Sequence, residues 1–180
     1  ARTGTLARTP SAQMEKNRTR TLFRVKKDGS SHFSVAKITA GAIAEPYRQA
    51  VRDTRQAERE LFVQRMLAGI GQSGGGVFDP GKLDGSGDEY RMGFAGTSDN
   101  FANLPGPTGL ATTFNFWGGL GDAVFAFGEE KERSQDFVCA GLDMEDEIGF
   151  EFARGVRILA LPKALTLRDA NFSYRADYIR

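Results

Sequence analysis

The sequence is poor in the residues that most often carry catalysis or bind metals. It contains one cysteine, one histidine and one tryptophan in 180 residues. A single cysteine, Cys139, excludes an internal disulfide and a metal site built from several cysteines, and it favours a reducing compartment. The only histidine, His32, belongs to no intact catalytic motif, and we interpret it as an exposed residue at the end of a strand. No apolar run approaches the ~18 residues that a membrane span requires.

The chain is also close to neutral, so its global charge selects no class of partner. Its net charge is +1 and its pI is ≈ 8.1. It is nevertheless rich in two residue types, with 14 phenylalanines and 22 glycines. Because disordered chains usually have few aromatic residues, this combination indicates irregular chain that packs against something. The first residue is alanine, so we expect that an initiator methionine or a targeting segment has been removed, and no signal-peptide apolar region remains.

Residues 1–20 predict a basic extended arm. Residues 1–27 carry eight basic side chains against one acid, Glu15. Such an arm is either a solvated tail or a segment laid on an acidic partner, since opposite charges attract over long range in a way that salt weakens. Nucleic acid fits less well, because aromatic residues are absent before Phe23 and the net charge is low. In the second interpretation the partner-binding residues of this region are Arg18, Arg20 and Arg24.

Residues 21–68 predict a hairpin followed by one long helix. Apolar residues alternate on both sides of Asp28-Gly29, a dipeptide that is favoured in hairpin turns. Over residues 44–67 apolar residues recur at helical spacing, and Gly69 is a natural helix stop. The helix carries four arginines that are either a solvated face or contacts for the carboxylates of a partner. They are Arg48, Arg52, Arg55 and Arg59.

Residues 69–112 predict an irregular segment rich in glycine, proline and phenylalanine. The run at 69–76 contains a literal GxGxxG, but it follows a helix instead of a strand. We therefore interpret it as a helix stop and linker and not as a dinucleotide site. Residues 79–89 space their acids as a calcium loop does, yet Glu89 stands where such a loop requires glycine. We predict an ordinary loop there and no metal.

Residues 113–180 predict a mainly β region that ends in antiparallel strands, because apolar and polar residues alternate. We interpret the acidic runs on both sides of Cys139 as solvated surface. The aromatic residues between 90 and 128 either form a small core of their own or insert into a partner. The candidates for insertion are Phe94, Phe101, Phe114, Phe116 and Trp117. Together the patterns predict an α+β fold that is partly extended, with a basic arm and hairpin, one long helix, an irregular segment and C-terminal strands.

No coherent active site emerges from these residues, so we expect no enzymatic activity. The basic arm, the arginines of the helix and the aromatic loops favour a structural linker that helps to assemble a larger complex on acidic partner subunits. The alternative is a structural protein of a virion, in the capsid or the tail. An enzyme that uses carboxylates alone is the third and least favoured interpretation.

The segment RTRTLFRV at residues 18–25, followed by HFSV at 32–35, resembles the small basic domain of phycobilisome linker polypeptides, which also opens with a basic-flanked strand. The resemblance covers the hairpin region alone. It implies a linker for photosynthetic light harvesting that binds acidic phycobiliproteins in the plastid stroma, on the thylakoid surface. It further implies either no cofactor or one covalent bilin, for which Cys139 is the only candidate attachment residue.

Overall fold

A five-stranded sheet with helices packed on one face organises the chain. The computed structural model describes residues 15–85, 87–110, 141–170 and 172–180. Within these ranges the α+β class predicted from the sequence is confirmed. The elements, in chain order, are β1 Glu15–Val25, β2 Ser31–Ala40, α1 Ala44–Asp53, α2 Gln56–Glu60, α3 Phe62–Gly69, β3 Gly74–Asp79, β4 Glu89–Ser98, β5 Leu142–Phe152, β6 Leu165–Arg168 and β7 Ser173–Ala176.

The predicted hairpin is present as β1 and β2, with Phe23 opposite Phe33. Its turn closes with a hydrogen bond from the Lys26 amide to the Ser30 carbonyl, 2.8 Å long. The Asp28 carboxylate accepts hydrogen bonds from the Ser30 hydroxyl and amide, which lower the pKa of this carboxyl below its usual value. The dipeptide Asp28-Gly29 therefore sets the turn as the sequence predicts.

The strand β1 is longer than predicted, because residues 15–20 belong to it and not to an extended arm. Basic and small polar residues alternate along this stretch. Lys16, Arg18 and Arg20 are exposed, whereas Asn17 and Thr19 are buried. This is the period-2 pattern of a strand with one buried face, but the buried face is polar.

The sheet has the order β3-β4-β2-β1-β5. All neighbours in it are antiparallel except β1 and β5, which pair in parallel from Glu15 opposite Leu142 to Val25 opposite Phe152. The antiparallel pair predicted for the C-terminal region is formed by β6 and β7, which make a separate two-stranded sheet.

The predicted single helix at residues 44–67 is three helices. The first ends at Asp53, and the next residue, Thr54, has an extended backbone with ψ 125°, as does Arg55 with ψ 148°. The Thr54 hydroxyl donates a hydrogen bond to the Ala50 carbonyl, and Arg59 Nε donates one to the Thr54 carbonyl. Side-chain bonds of this kind compete with the helical backbone pattern, so the chain turns although its apolar spacing continues.

The prediction that residues 69–112 are irregular is wrong for much of this segment, because it contains β3 and β4. Glycine allows the two strands to approach closely. A Cβ placed on Gly76 would lie 2.2 Å from the Ala95 carbonyl oxygen, so a side chain at this position would collide with the neighbouring strand. The two strands are joined through residues 80–85 and 87–88, within the loop that was predicted at 79–89.

The core lies between the sheet and α3. Its fully buried members include Phe23 and Phe33 from the hairpin, Phe94 from β4, and Val63 and Leu67 from α3. A second buried cluster joins α1 to β4 through Ala44, Val51, Tyr90 and Met92. Both clusters lie on the same face of the sheet, which leaves the opposite face, here called the outer face, without helices among the described elements.

Candidate interaction surfaces

The basic residues of β1 are paired within the chain. On the outer face Arg18, Arg20 and Arg24 lie directly opposite three glutamates of β5. The nitrogen–oxygen distances are 3.1 Å for Arg18–Glu145, 2.9 Å for Arg20–Glu147 and 2.7 Å for Arg24–Glu151. All six side chains are more than half exposed. The parallel register thus places a basic run beside an acidic run that is distant in sequence, and the two form a row of ion pairs. These arginines are therefore already paired with carboxylates of the same chain.

Arg48, predicted to contact a partner, is a core residue with 2% of its surface exposed. Its Nη2 donates to the carbonyls of Gly87 and Glu89, at 3.0 and 2.9 Å, and its Nη1 pairs with Glu45. The guanidinium also lies over the Tyr90 ring. The prediction for this residue is wrong, because the guanidinium is used to hold α1 against the start of β4.

The other three arginines of the helical region lie nearer to the surface. Arg52 donates to the Leu83 carbonyl and pairs with Glu45 at 3.9 Å. Arg59 donates to the Thr54 carbonyl at the break between the helices. Arg55 is 82% exposed and pairs with Glu58 at 2.5 Å, which raises the pKa of the guanidinium. Of this set, Arg55 is the residue whose side chain is most accessible to a partner.

Two of the predicted aromatic anchors lie in the chain's own core. Phe94 is 4% exposed and packs edge-on against Phe33 and Phe62. The Phe101 ring stacks on Phe23 with a centroid distance of 4.5 Å. The alternative that the aromatic residues form a core therefore holds for this pair, and Phe94 has no surface left for a partner. The remaining predicted residues, Phe114, Phe116, Trp117 and Cys139, lie outside the described residues.

A surface that sequence reasoning did not single out is the C-terminal segment 153–180, here called the C-terminal arm. It begins beside the hairpin, where the Ala153 amide donates to the Val25 carbonyl at 2.9 Å. Bonds within the arm include the ion pair Arg175–Asp177 at 2.7 Å and the hydrogen bond from Arg180 to the Ile158 carbonyl at 3.4 Å. Among the described helices and strands, β6 and β7 contact only each other.

The hairpin of the C-terminal arm is amphipathic. Cross-strand partners place Leu165, Leu167, Tyr174 and Ala176 on one face. Thr166, Arg168, Ser173 and Arg175 lie on the other face. Leu165 and Leu167 are 46% and 45% exposed. Further apolar side chains of the arm are also exposed, namely Leu159, Leu161, Phe172 and Ile179. The sequence signal was the alternation of Leu165, Leu167 and Tyr174, which predicts a strand but not whether its apolar face is covered.

A second accessible surface is the outer face of the sheet near β3. It holds a shallow depression of about 550 Å³, here called the outer depression, which is lined by small residues together with Arg24, His32 and Phe33. Its lining includes Leu22, Ser34, Gly75, Val77, Ala95 and Thr97. Val77 is 75% exposed. In the described sheet β3 is an edge strand, and β4 is its only neighbour among the described strands.

The described ranges hold no group of three or more histidine, cysteine, aspartate or glutamate residues arranged to bind a metal. Residues 69–71 of the GxGxxG run end α3 and residues 74–76 enter β3, which is not the strand-to-helix setting of a dinucleotide site. Among the described helices, none combines the length and the apolar character that crossing a membrane requires.

No protein-family model, curated protein or solved structure matches this chain.

Proposed function

We propose that this chain is a non-catalytic structural component of a larger assembly and that its C-terminal arm joins it to that assembly. The observation that carries the proposal is the apolar face of the β6–β7 hairpin, on which Leu165 and Leu167 are 46% and 45% exposed. An isolated two-stranded hairpin is at best marginally stable in water, and it gains stability when its apolar face packs against another surface. The exposed Leu165 and Leu167 are suited to that contact.

The charge of the C-terminal arm indicates the chemistry of the surface that it binds. Residues 153–180 contain six basic and two acidic residues, which gives the segment a net charge of +4. A partner with an acidic rim around an apolar centre complements this segment. An acidic partner was expected from the basic residues of β1, but those arginines already face glutamates of β5. We therefore propose that the C-terminal arm, and not the arginines of β1, contacts the acidic partner.

The resemblance of the β1–β2 region to phycobilisome linker polypeptides makes rings of acidic phycobiliproteins one specific candidate for the partner. In that case the assembly is a light-harvesting particle. The second candidate is a virion, for which a chain built mostly of strands, with an arm that reaches a neighbouring subunit, is suited. Absorbance separates the two candidates: a visible band that stays with the denatured chain indicates a bilin on Cys139 and supports the first.

The arm itself is tested by incorporation of variants into the native particle. We expect the double variant Leu165→Ser/Leu167→Ser to fold with the circular dichroism and thermal midpoint of the wild type, because both side chains are exposed. We also expect it to be lost from the particle, with at least a tenfold fall in incorporation. The matched control is Thr166→Ser, which lies between the two leucines on the polar face of β6.

Normal incorporation of the folded double variant would contradict the proposal. Equal loss of the control variant would also contradict it, because the effect would then not depend on the apolar face.

A further inference from the structure

We propose that the outer depression is a binding site for a small organic carboxylate, a molecule with one anionic group beside an apolar body. Arg24, His32 and Thr97 contact the carboxylate, and an adjacent row of apolar and small side chains takes the apolar body. The site goes beyond the proposed function, since it involves no residue of the C-terminal arm. Three features carry it: the shape of the recess, the position of its polar groups and the charge of its lining.

The recess arises from the order of side-chain sizes across four strands. Side by side in neighbouring strands lie Leu22 on β1, Ser34 on β2, Ala95 on β4 and Val77 on β3. This row spans three strand spacings, or ~14 Å. Its two central side chains are small and form a floor, and the leucine and the valine form walls. The volume of about 550 Å³ lies within the range of ~300–1,000 Å³ that is usual for small-molecule sites.

A row of polar side chains lies next to this apolar row. Arg24 is opposite His32, and His32 is opposite Thr97. Residues directly opposite each other in antiparallel strands have Cβ atoms about 4.5–5.5 Å apart, so the guanidinium, the imidazole and the hydroxyl can reach one ligand group. The two rows are two residues apart along each strand, or ~7 Å. A carboxylate over the polar row can therefore belong to a molecule whose apolar body lies over the apolar row.

The guanidinium of Arg24 keeps one edge for such a carboxylate. Its ion pair with Glu151 uses Nε, at 2.7 Å, and no bond among the described residues uses its two Nη atoms. The parallel N–H groups on that edge of a guanidinium match the two oxygens of a carboxylate. Glu151 therefore orients the Arg24 side chain without occupying the edge that binds a ligand.

The charge of the lining favours an anion with a single charge. Among the described residues that line the depression, Arg24 and His32 can be cationic and none is acidic. The acid in the same row is Glu151, which already balances part of the charge on Arg24 and repels a dianion more than a monoanion. Asp79 lies beyond Val77 at the end of β3, so the anionic end of the ligand points to the Arg24 row and away from Asp79.

Titration of the full chain with 3-phenylpropanoate tests the site, with amide chemical shifts as the measurement. The carboxylate and the ring of this probe are joined by two methylene groups, so the molecule can reach both rows. We expect saturable binding, with the shift changes grouped at residues 22–24, 32–34 and 95–97. The control 3-phenylpropan-1-ol has the same apolar body without the charge, and inorganic phosphate has charge without the apolar body. We expect each control to bind at least tenfold more weakly, because each is suited to only one row.

Two pairs of variants locate the binding. Arg24→Met removes the guanidinium, and Arg20→Met is its matched control, because Arg20 also pairs with a glutamate of β5 and does not line the depression. Ala95→Leu fills the floor, and Ala36→Leu adds the same side chain at an exposed position of the outer face that does not line the depression. We expect Arg24→Met and Ala95→Leu to weaken binding at least tenfold and the two controls to change it less than twofold.

Equal affinity for the carboxylate and the alcohol overturns the inference, because the cationic side chains then take no part in binding. Equal weakening by Arg24→Met and Arg20→Met also overturns it, since binding then reflects the charge of the whole face. Phosphate that binds as tightly as 3-phenylpropanoate contradicts the class of ligand, and a folded wild-type chain that shows no saturable binding excludes the site.

Discussion

The guanidinium carbon of Arg48 lies 5.3 Å from the centroid of the Tyr90 ring, and both side chains are buried. A cation over an aromatic face is attracted by the ring, and the attraction is larger when both groups are removed from water. The same guanidinium binds two carbonyl oxygens before and at the start of β4. Arg48 therefore joins α1 to the sheet through two kinds of contact, hydrogen bonds to carbonyls and the contact with the Tyr90 ring.

Replacement of this residue should destabilise the fold. In Arg48→Met the carbonyls of Gly87 and Glu89 lose their donor, and we expect the free energy of unfolding to fall by about 2–4 kcal/mol. Urea denaturation measures the change. Arg55→Met is the matched control, because Arg55 is 82% exposed and we expect no measurable change there. A small effect at Arg48 would show that the guanidinium is not required for packing α1.

Alkaline pH should weaken the second core cluster through Tyr90. Burial raises the pKa of the Tyr90 phenol above its usual value of 10.0, and its hydroxyl donates to the Pro80 carbonyl at 2.5 Å. Because the folded state holds the proton more tightly than the unfolded state, this contribution to stability is complete below about pH 10 and is lost as the pH rises through the folded pKa.

We therefore expect Tyr90→Phe to lose less stability than the wild type when the pH is raised from about 9 to about 11. Unfolding in urea at each pH gives the comparison. Tyr178→Phe removes a phenol from the C-terminal arm and is the control. Identical pH profiles for Tyr90→Phe and the wild type would contradict the role of burial.

The ion pairs between β1 and β5 should contribute modestly and should respond to salt. A double-mutant cycle on Arg20→Ala and Glu147→Ala isolates the pair, whose side chains are 73% and 59% exposed. We expect a coupling of about 0.2–1 kcal/mol at low ionic strength, since solvent screens an exposed pair. In 1 M salt the coupling should nearly vanish. A coupling that is large and insensitive to salt would mean that the pair is shielded from water.

Two glycines have a positive φ, and alanine substitutions at them distinguish the cost of backbone strain from the cost of a steric collision. Gly71 has φ +72°, and a Cβ there would meet nothing within 4 Å. Gly29 has φ +84°, and a Cβ there would lie 1.9 Å from the Ala102 carbonyl oxygen. We expect Gly71→Ala to lower the free energy of unfolding by about 1–2 kcal/mol, the cost of the left-handed conformation alone.

We expect Gly29→Ala to cost at least ~1 kcal/mol more than Gly71→Ala, because the hairpin turn must also move away from Ala102. Chemical denaturation of both variants under the same conditions gives the difference. Equal losses at the two positions would show that the turn moves freely and that residues 101–104 do not hold it.

The sequence predicts the β1–β2 hairpin but not the break in the helix, because adjacent residues determine the turn of the hairpin and do not determine the break. Asp28-Gly29 determines its turn from two adjacent residues and their own hydrogen bonds. At Thr54 the apolar spacing continues, and the break depends on hydroxyl and guanidinium bonds that compete with a pattern the sequence otherwise supports. Periodicity reports which residues face inward, but it does not report such competition.

The polar buried face of β1 explains why residues 15–20 were predicted as an arm. Asn17, Thr19 and Thr21 are buried, although a strand is usually recognised by apolar residues at such positions.

The exposure of the candidate surface residues was equally difficult to predict from the sequence. Arg48 and Arg55 have similar sequence surroundings, yet one is buried and the other is exposed. The alternation of Leu165 and Leu167 was visible, but exposure depends on contacts that are distant in the sequence.

The parallel pairing of β1 with β5 has a consequence for how the chain folds as it is synthesised. The paired residues are 127 positions apart, as in Arg20 and Glu147. Contacts at such separation close a very long loop and slow folding, because the entropy of closure is lost before the contact is gained. The contacts within the hairpin and within the three helices join residues that are close in sequence, so they do not depend on β5. The open side of β1 is not paired along its whole length until Phe152 has been added, so we expect docking of β5 to be a late and slow step.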